Sequence, residues 1–193
     1  MIMNKKGNTT MIQKPNNWSE LKEAGGDFPR LTPGGYVAII RKVIDQPAEK
    51  DQYLEIEYDV CEGDCKGIAV DSYERFGYWG YKFRVYYRQK SLGFFKHFIS
   101  AVEKTNPNFI FDFGNINCLV NKGIGLVVGT RQYYGKDGTL KEAPDVQDYC
   151  TATEVREGNL PTQPKVRPPR EGSAPVQQSA PATTYEDESD LPF

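Results

Sequence analysis

Residues 52–61 have the sequence QYLEIEYDVC, in which apolar and acidic side chains alternate. In an extended chain, side chains two residues apart point to the same face. One face would then carry Leu54, Ile56, Tyr58 and Val60, and the other Glu55, Glu57 and Asp59. This pattern predicts a strand of an antiparallel sheet that buries its apolar face and leaves its carboxylates in solvent.

Other strand patterns lie on both sides of this segment. Residues 36–44, YVAIIRKVI, are rich in β-branched side chains and predict a preceding strand, which would form a hairpin with residues 52–61. Three later segments also predict strands, at residues 68–76, 123–134 and 141–155. The first of these three has the least regular pattern.

A helical period interrupts the strand patterns over residues 91–105. Apolar side chains recur there at spacings of three or four residues: Leu92, Phe95, Ile99 and Val102. The predicted order is three strands, a helix and two strands, which is the order of an OB-fold, a five-stranded Greek-key barrel. We expect a mainly β domain of this type, with one helix, over residues 17–157, after a flexible arm at residues 1–16.

The composition changes after residue 157. Residues 158–185 are rich in proline, glutamine, serine and alanine and contain few bulky apolar side chains. Such a segment cannot bury enough surface to offset the conformational entropy lost on ordering. We therefore predict a disordered linker over residues 158–185. Residues 186–193, EDESDLPF, are acidic and then apolar.

Composition and charge exclude several functional classes. The formal net charge is −2, which excludes a globally basic nucleic-acid binder but not a locally basic surface. His97 is the single histidine of the chain, and no phosphate-binding or hydrolase motif occurs. We therefore expect no enzymatic activity and no cofactor. The absence of a long apolar run and of a secretory signal leads us to expect a protein of the cytoplasm.

Residues 75–90, RFGYWGYKFRVYYRQK, combine basic and aromatic side chains and contain no acidic one. Single-stranded nucleic acid requires both chemistries, because cations bind the phosphates and rings stack on unpaired bases, at roughly 1–3 kcal/mol per base. The alternative is a strand that buries an aromatic face and exposes a basic one. The candidate binding residues are Arg75, Phe76, Tyr78, Trp79, Tyr81, Lys82, Phe83, Arg84, Tyr86, Tyr87, Arg88 and Lys90.

A second basic and aromatic cluster lies at the turn between the last two predicted strands. Its members are Arg131, Tyr133, Tyr134 and Lys136. Loops at this position in OB-folds contact the bound nucleic acid, so we expect the cluster to extend the same surface. Arg41 and Lys42, on the first strand, are expected to be ordinary surface residues.

Two groups of side chains have the chemistry of metal ligands, but a simpler interpretation is favoured for each. Cys61 and Cys65 have a spacing that occurs in zinc sites, but Cys118 and Cys150 lie on other predicted elements. Reduced structural cysteines are the favoured interpretation, and a zinc site is the alternative. The carboxylates of residues 55–59 could resemble a metal site, but a solvated strand face is favoured.

The C-terminus resembles the acidic tip of bacterial single-stranded DNA-binding proteins, which closes in Asp-(Ile/Leu)-Pro-Phe. The matching residues are Asp190, Leu191, Pro192 and Phe193, with Glu186, Asp187 and Glu188 as the acidic lead-in. The preceding domain resembles a divergent family of single-stranded DNA-binding proteins from phages of Gram-positive bacteria. That second resemblance rests on GGYVAIIRKVID (34–45), KSLGFFKHFISAVE (90–103) and VVGTRQYYGKDG (127–138).

The resemblance implies a function. Members of the family coat single-stranded DNA during replication, recombination and repair, and they recruit replication and recombination proteins through the tip. It also implies the cytoplasm of a bacterial host as the location. An RNA-binding OB module, a protein-interaction adaptor without nucleic-acid binding and a nuclease subunit are the alternatives. A monomer and a homo-oligomer both stay open.

Overall fold

The computed structural model describes residue 16 and residues 30–47 and 52–170. Its strands are β1 (Gly34–Gln46), β2 (Tyr53–Val60), β3 (Lys82–Tyr86), β4 (Gly123–Tyr134), β5 (Leu140–Cys150) and the two-residue β6 (Val166–Arg167). Its α-helices are α1 (Ile68–Phe76), α2 (Leu92–Thr105) and α3 (Ala152–Glu157). Short 3-10 turns occupy Gln89–Ser91 and Ile116–Leu119.

The strands form one mainly antiparallel sheet in the order β3-β2-β1-β4-β5, and β6 adds a short parallel pair to β4. The predicted hairpin of the first two strands is confirmed, because β1 and β2 pair antiparallel from Ala38–Val60 to Gln46–Tyr53. The two predicted strands after the helix are confirmed as β4 and β5, which pair antiparallel. The second was predicted to extend to residue 155, but it ends at Cys150 and residues 152–155 belong to α3, which Thr151 caps. The prediction of a mainly β domain therefore holds.

The prediction of a third strand at residues 68–76 is wrong, because these residues form α1. Ile68, Ala69 and Ser72 are buried, a spacing that places them on one face of a helix. Gly67 and Gly77 bound the helix with φ of 82° and 72°, values that favour glycine. The third strand is instead β3, within the basic and aromatic stretch, and the described residues form three helices rather than one.

Asp59 is a second correction, because its carboxylate is buried rather than solvated. It accepts a hydrogen bond of 2.9 Å from the backbone N–H of Ala69, in the first turn of α1. The amides of a first helical turn lack partners within the helix, so a carboxylate from β2 supplies one. The Arg41 guanidinium lies 3.6 Å from the same carboxylate, which gives Arg41 a structural contact.

The core lies between the sheet and α2, whose buried side chains include Phe98, Ile99 and Val102. The helical period predicted for this segment is confirmed, although Leu92 is exposed at its start. The rings of Phe83 on β3 and Tyr149 on β5 lie 5.5 Å apart between centroids. The two edge strands of the sheet therefore approach each other around this core.

The ordered chain continues past residue 157, where the linker was predicted to begin. Gly158 ends α3 with φ of 73°, and β6 pairs with β4 eight residues later. The low apolar content of this stretch is offset by hydrogen bonds to the sheet. Residues 1–15, the predicted linker beyond residue 170 and the tip at 186–193 lie outside the described residues. Within the described ranges no helix is long and apolar enough to cross a membrane.

Candidate nucleic-acid interface

A cleft of about 760 Å³ opens where the edge strands β3 and β5 approach each other. Residues from β2, β3, β4, β5 and the C-terminal end of α1 line it. Its cationic lining consists of Arg30, Lys82, Arg84, Arg131, Arg167 and Arg170. Three carboxylates also line the cleft: Glu55, Glu142 and Asp145. Basic side chains therefore outnumber acidic ones here, although the whole chain is slightly acidic.

The β3 strand supplies two of these cations by simple alternation. Lys82 and Arg84 are exposed, whereas Phe83 and Val85 between and after them are buried. Both cations contact Glu55 on β2, with Lys82 Nζ at 2.9 Å from Oε1 and Arg84 Nε at 3.8 Å from Oε2. The carboxylate holds both cations on the same face of the sheet.

Arg84 is also fixed by aromatic neighbours. Its guanidinium carbon lies 4.6 Å from the centroid of the Tyr53 ring, a cation–π distance. A hydrogen bond with Tyr86 raises the pKa of Arg84 above its already high ordinary value. The charge therefore persists across the whole accessible pH range and is available to a phosphate.

Exposed rings lie next to these cations. Phe76, at the end of α1, and Tyr78 are 45% and 62% exposed, with ring centroids 6.2 Å apart. Tyr86 contacts the Tyr53 ring at 5.4 Å. A ring with an accessible face can stack on an unpaired base, so these rings are candidates for base stacking.

Tyr81 and Trp79 form the more enclosed part of the same region. The indole N–H of Trp79 donates a 3.0 Å hydrogen bond to the carbonyl oxygen of Tyr81. The Trp79 ring also lies 6.0 Å from the Tyr73 ring. Burial raises the pKa of Tyr81 to about 12. Trp79 therefore positions the segment that leads into β3. Trp79 itself lies beside the cleft rather than in its lining.

The β4–β5 hairpin contributes the opposite border. Arg131 and Tyr133 on β4 line the cleft, and the guanidinium carbon of Arg131 lies 5.9 Å from the Tyr133 ring. Tyr134 and Lys136 are exposed at the end of the same hairpin but do not line the cleft. The structure thus brings half of the second predicted cluster to the candidate site.

The basic and aromatic stretch 75–90 is divided by the fold. The members that line the cleft are Phe76, Tyr78, Tyr81, Lys82, Phe83, Arg84 and Tyr86. The others, which lie outside that lining, are Arg75, Trp79, Tyr87, Arg88 and Lys90. Tyr87 is held elsewhere, since its hydroxyl donates a 2.6 Å hydrogen bond to Asp45 and its ring packs on Phe95.

Three cleft arginines were not singled out from the sequence. Arg30 lies in a turn-rich segment and Arg167 and Arg170 lie in the predicted linker. Nothing in the local pattern around Arg30 indicated a site. The clustering of Lys165, Arg167 and Arg170 between prolines was the signal that was available for the other two.

The cysteines and carboxylates do not gather around a common point. Within the described parts of the chain, no group of three or more His, Cys, Asp or Glu side chains could hold a metal ion. The Cys61 thiol donates to the carbonyl oxygen of Val37 at 3.4 Å, and burial raises its pKa. Cys61 and Cys65 are both free thiols.

Comparisons with known proteins give no family assignment. No model of a known protein family matches the chain, and no curated protein sequence matches it significantly. The functional argument therefore rests on the geometry of the cleft and on the sequence itself.

Proposed function

We propose that the chain is a non-enzymatic single-stranded DNA-binding protein whose domain is an OB-fold. The observation that carries this proposal is the cleft, whose lining combines arginine and lysine side chains with the exposed rings of Phe76 and Tyr78. The sheet order β3-β2-β1-β4-β5, with α2 between β3 and β4, supports the OB-fold interpretation. In that fold, the face of strands 2 and 3 and the loop between strands 4 and 5 bind oligonucleotides.

The chemistry of the cleft suits an unpaired strand. Phosphates would bind Lys82, Arg84 and Arg131, and bases would stack on rings such as Phe76 and Tyr78. Stacking requires an accessible base face, which a duplex does not offer, and every base has such a face. Binding is therefore expected to be independent of sequence, selective for single strands and sensitive to salt.

The proposed biological role follows from the sequence. The protein coats and protects single-stranded DNA during replication, recombination and repair in the cytoplasm of a bacterial host infected by a phage. Residues 186–193 would recruit replication or recombination proteins, because Leu191 and Phe193 offer an apolar anchor and the flanking carboxylates favour a basic pocket. No cofactor is required for this role.

Tryptophan fluorescence tests the proposal directly. Trp18→Phe leaves Trp79, which adjoins the cleft, as the only tryptophan. Oligo-dT should quench its fluorescence with an affinity that falls as salt rises, whereas a duplex of equal length should not. Oligo-U in the same assay separates DNA binding from RNA binding. A chain that binds no oligonucleotide even at low salt would overturn the proposal and favour the adaptor.

A charge-neutralising pair of variants identifies the cleft as the site. Arg84→Gln should reduce the slope of log affinity against log salt by about 0.7, the value for one lost phosphate contact with a single strand. Arg156→Gln is the matched control, because Arg156 on α3 pairs with Glu62 at 2.6 Å outside the cleft. Equal salt slopes for the two variants would place the binding surface elsewhere.

A further inference from the structure

Residues 160–170, which we call the C-terminal strap, lie against the sheet although their composition is that of a linker. Val166 and Arg167 form β6, which pairs in parallel with Thr130 and Arg131 of β4. The Thr130 N–H donates a 3.0 Å hydrogen bond to the Lys165 carbonyl oxygen. The strap therefore borders the part of β4 that reaches the cleft.

The side chain of Gln147 holds the strap by pairing with backbone groups, in the way that the backbone of a neighbouring strand would. Its amide nitrogen donates to the Lys165 carbonyl at 2.7 Å, and its amide oxygen accepts from the Lys165 N–H at 2.9 Å. Gln147 is available because β5 has a bulge there: Val127 pairs with Asp148 and Val128 with Val146. The residue between them has no partner on β4.

Gly129 provides the space for this crossing. A Cβ atom at this position would lie 2.3 Å from the Gln147 amide nitrogen and 2.5 Å from the Lys165 carbonyl oxygen. No other residue type fits without displacing the strap. Two further contacts hold the first half of the strap. Leu160 packs over Gly35, and the Thr162 hydroxyl donates to Asp148 at 3.1 Å.

The seated strap carries two arginines to the cleft. Arg167 and Arg170 both line it, together with Arg131 of the neighbouring strand. Arg167 donates a 2.9 Å hydrogen bond to Asp145 of β5, and about half of its side chain is exposed. The ion pair with Asp145 holds the Arg167 guanidinium at the edge of the cleft. A guanidinium in this position can bind a phosphate through two parallel hydrogen bonds.

We infer that the C-terminal strap is a wall of the nucleic-acid site, which contributes Arg167 and Arg170 to phosphate binding only while Gln147 holds it on the sheet. This inference rests on the proposed function, because it assumes that the cleft binds a single strand. It assigns a binding role to a segment whose composition indicates a spacer. Release of the strap should weaken binding without unfolding the domain.

Gln147→Ala in the full chain tests the fastening. Trypsin should cleave after Lys165 faster in this variant than in the wild type, and saturating oligo-dT should slow that cleavage in the wild type. Because the released strap withdraws both Arg167 and Arg170 from the cleft, oligo-dT affinity at low salt should fall by more than about tenfold and the salt slope should fall by about 1.4, as for two lost phosphate contacts. Asn159→Ala is the control, because its side-chain amide donates to Glu157 at the root of the strap and not to the described residues of the sheet.

The double variant Arg167→Gln/Arg170→Gln tests the charges independently of the fastening. It should lower the salt slope by about 1.4, the sum of two single-strand phosphate contacts. Faster cleavage of Gln147→Ala with unchanged affinity would overturn the inference and leave the proposed function intact. An unchanged salt slope in the double variant would also overturn it. Absence of oligo-dT binding by the wild type would instead defeat the proposed function.

Discussion

The two faces of the β2–β3 pair share one pairing register but differ in burial and in polarity. On the inner face, Ile56 pairs with Phe83 and Leu54 with Val85, and all four side chains are buried. On the outer face, Glu55 pairs with Arg84 and Tyr53 with Tyr86, and these side chains are partly or largely exposed. Adjacent positions of one strand thus belong either to the buried inner face or to the exposed outer face of the sheet.

This contrast explains why composition alone could not sort the aromatic residues. The alternative interpretation was a strand that buries an aromatic face and exposes a basic one. β3 largely fits it, because it buries Phe83 and Val85 and exposes Lys82 and Arg84. The exposed rings of Phe76 and Tyr78 come from the α1 end and the following turn instead. A substitution should therefore change stability or binding according to the face on which it lies.

The largest expected effect is on the inner face. Phe83→Ala removes a ring that contacts Tyr58, Phe98 and Tyr149. The lost burial and the cavity should lower the free energy of unfolding by about 3–5 kcal/mol, measured by urea denaturation. Arg84→Gln, the next residue, should change it by no more than about 0.5 kcal/mol. Similar values for the two variants would break the distinction between the faces.

A smaller effect should separate two neighbouring tyrosines. Tyr86 lines the cleft, whereas Tyr87 bonds to Asp45 and packs on Phe95. Tyr86→Leu keeps apolar bulk but removes a stacking ring, so oligo-dT affinity should fall roughly tenfold, within the range for one base. Tyr87→Leu should lower the urea midpoint and leave affinity near the wild-type value. The reverse result would exchange their assigned roles.

The elements that the sequence pattern could predict were β1, β2, α2, β4 and β5. β2 and α2 each have one mainly apolar face, β1 and β4 are rich in apolar β-branched residues, and β5 follows β4 after the glycine-containing turn at residues 135–138. The error at residues 68–76 arose because α1 is short and its N-terminus is completed by Asp59 from β2. That contact joins residues ten positions apart, so no local pattern shows it. The same contact explains why Asp59 was misplaced in solvent.

The residue types of the candidate site could be predicted from the sequence, but their arrangement in space could not. Stretch 75–90 was singled out by its residue types, yet Tyr87 and Trp79 are held by structural contacts that composition does not record. Arg167 and Arg170 were assigned to a linker, because the bulge at Gln147 that holds them lies on another strand. The positions of these residues depend on hydrogen bonds to other parts of the chain, and the local sequence pattern could not predict those bonds.

The smallest expected effect concerns tyrosines that the fold keeps neutral. Burial raises the pKa of Tyr81 to about 12, and burial with the bond to Asp45 raises that of Tyr87 to about 12, from an ordinary value of 10.0. Above about pH 10 the unfolded chain loses these protons and the folded chain retains them. The stabilisation is therefore complete below pH 10 and is lost as the pH rises through about 12.

Urea midpoints measured between about pH 9 and pH 11 should reveal this loss. Tyr87→Phe removes one of the titrating hydroxyls and its bond to Asp45, so the variant should start from a lower midpoint but lose less of it as the pH rises. Tyr133→Phe, at an exposed position of the cleft, is the control for the removal of a tyrosine hydroxyl. If the Tyr87→Phe curve ran parallel to that of the wild type, Tyr87 would not be held by the contacts that distinguish it from Tyr86.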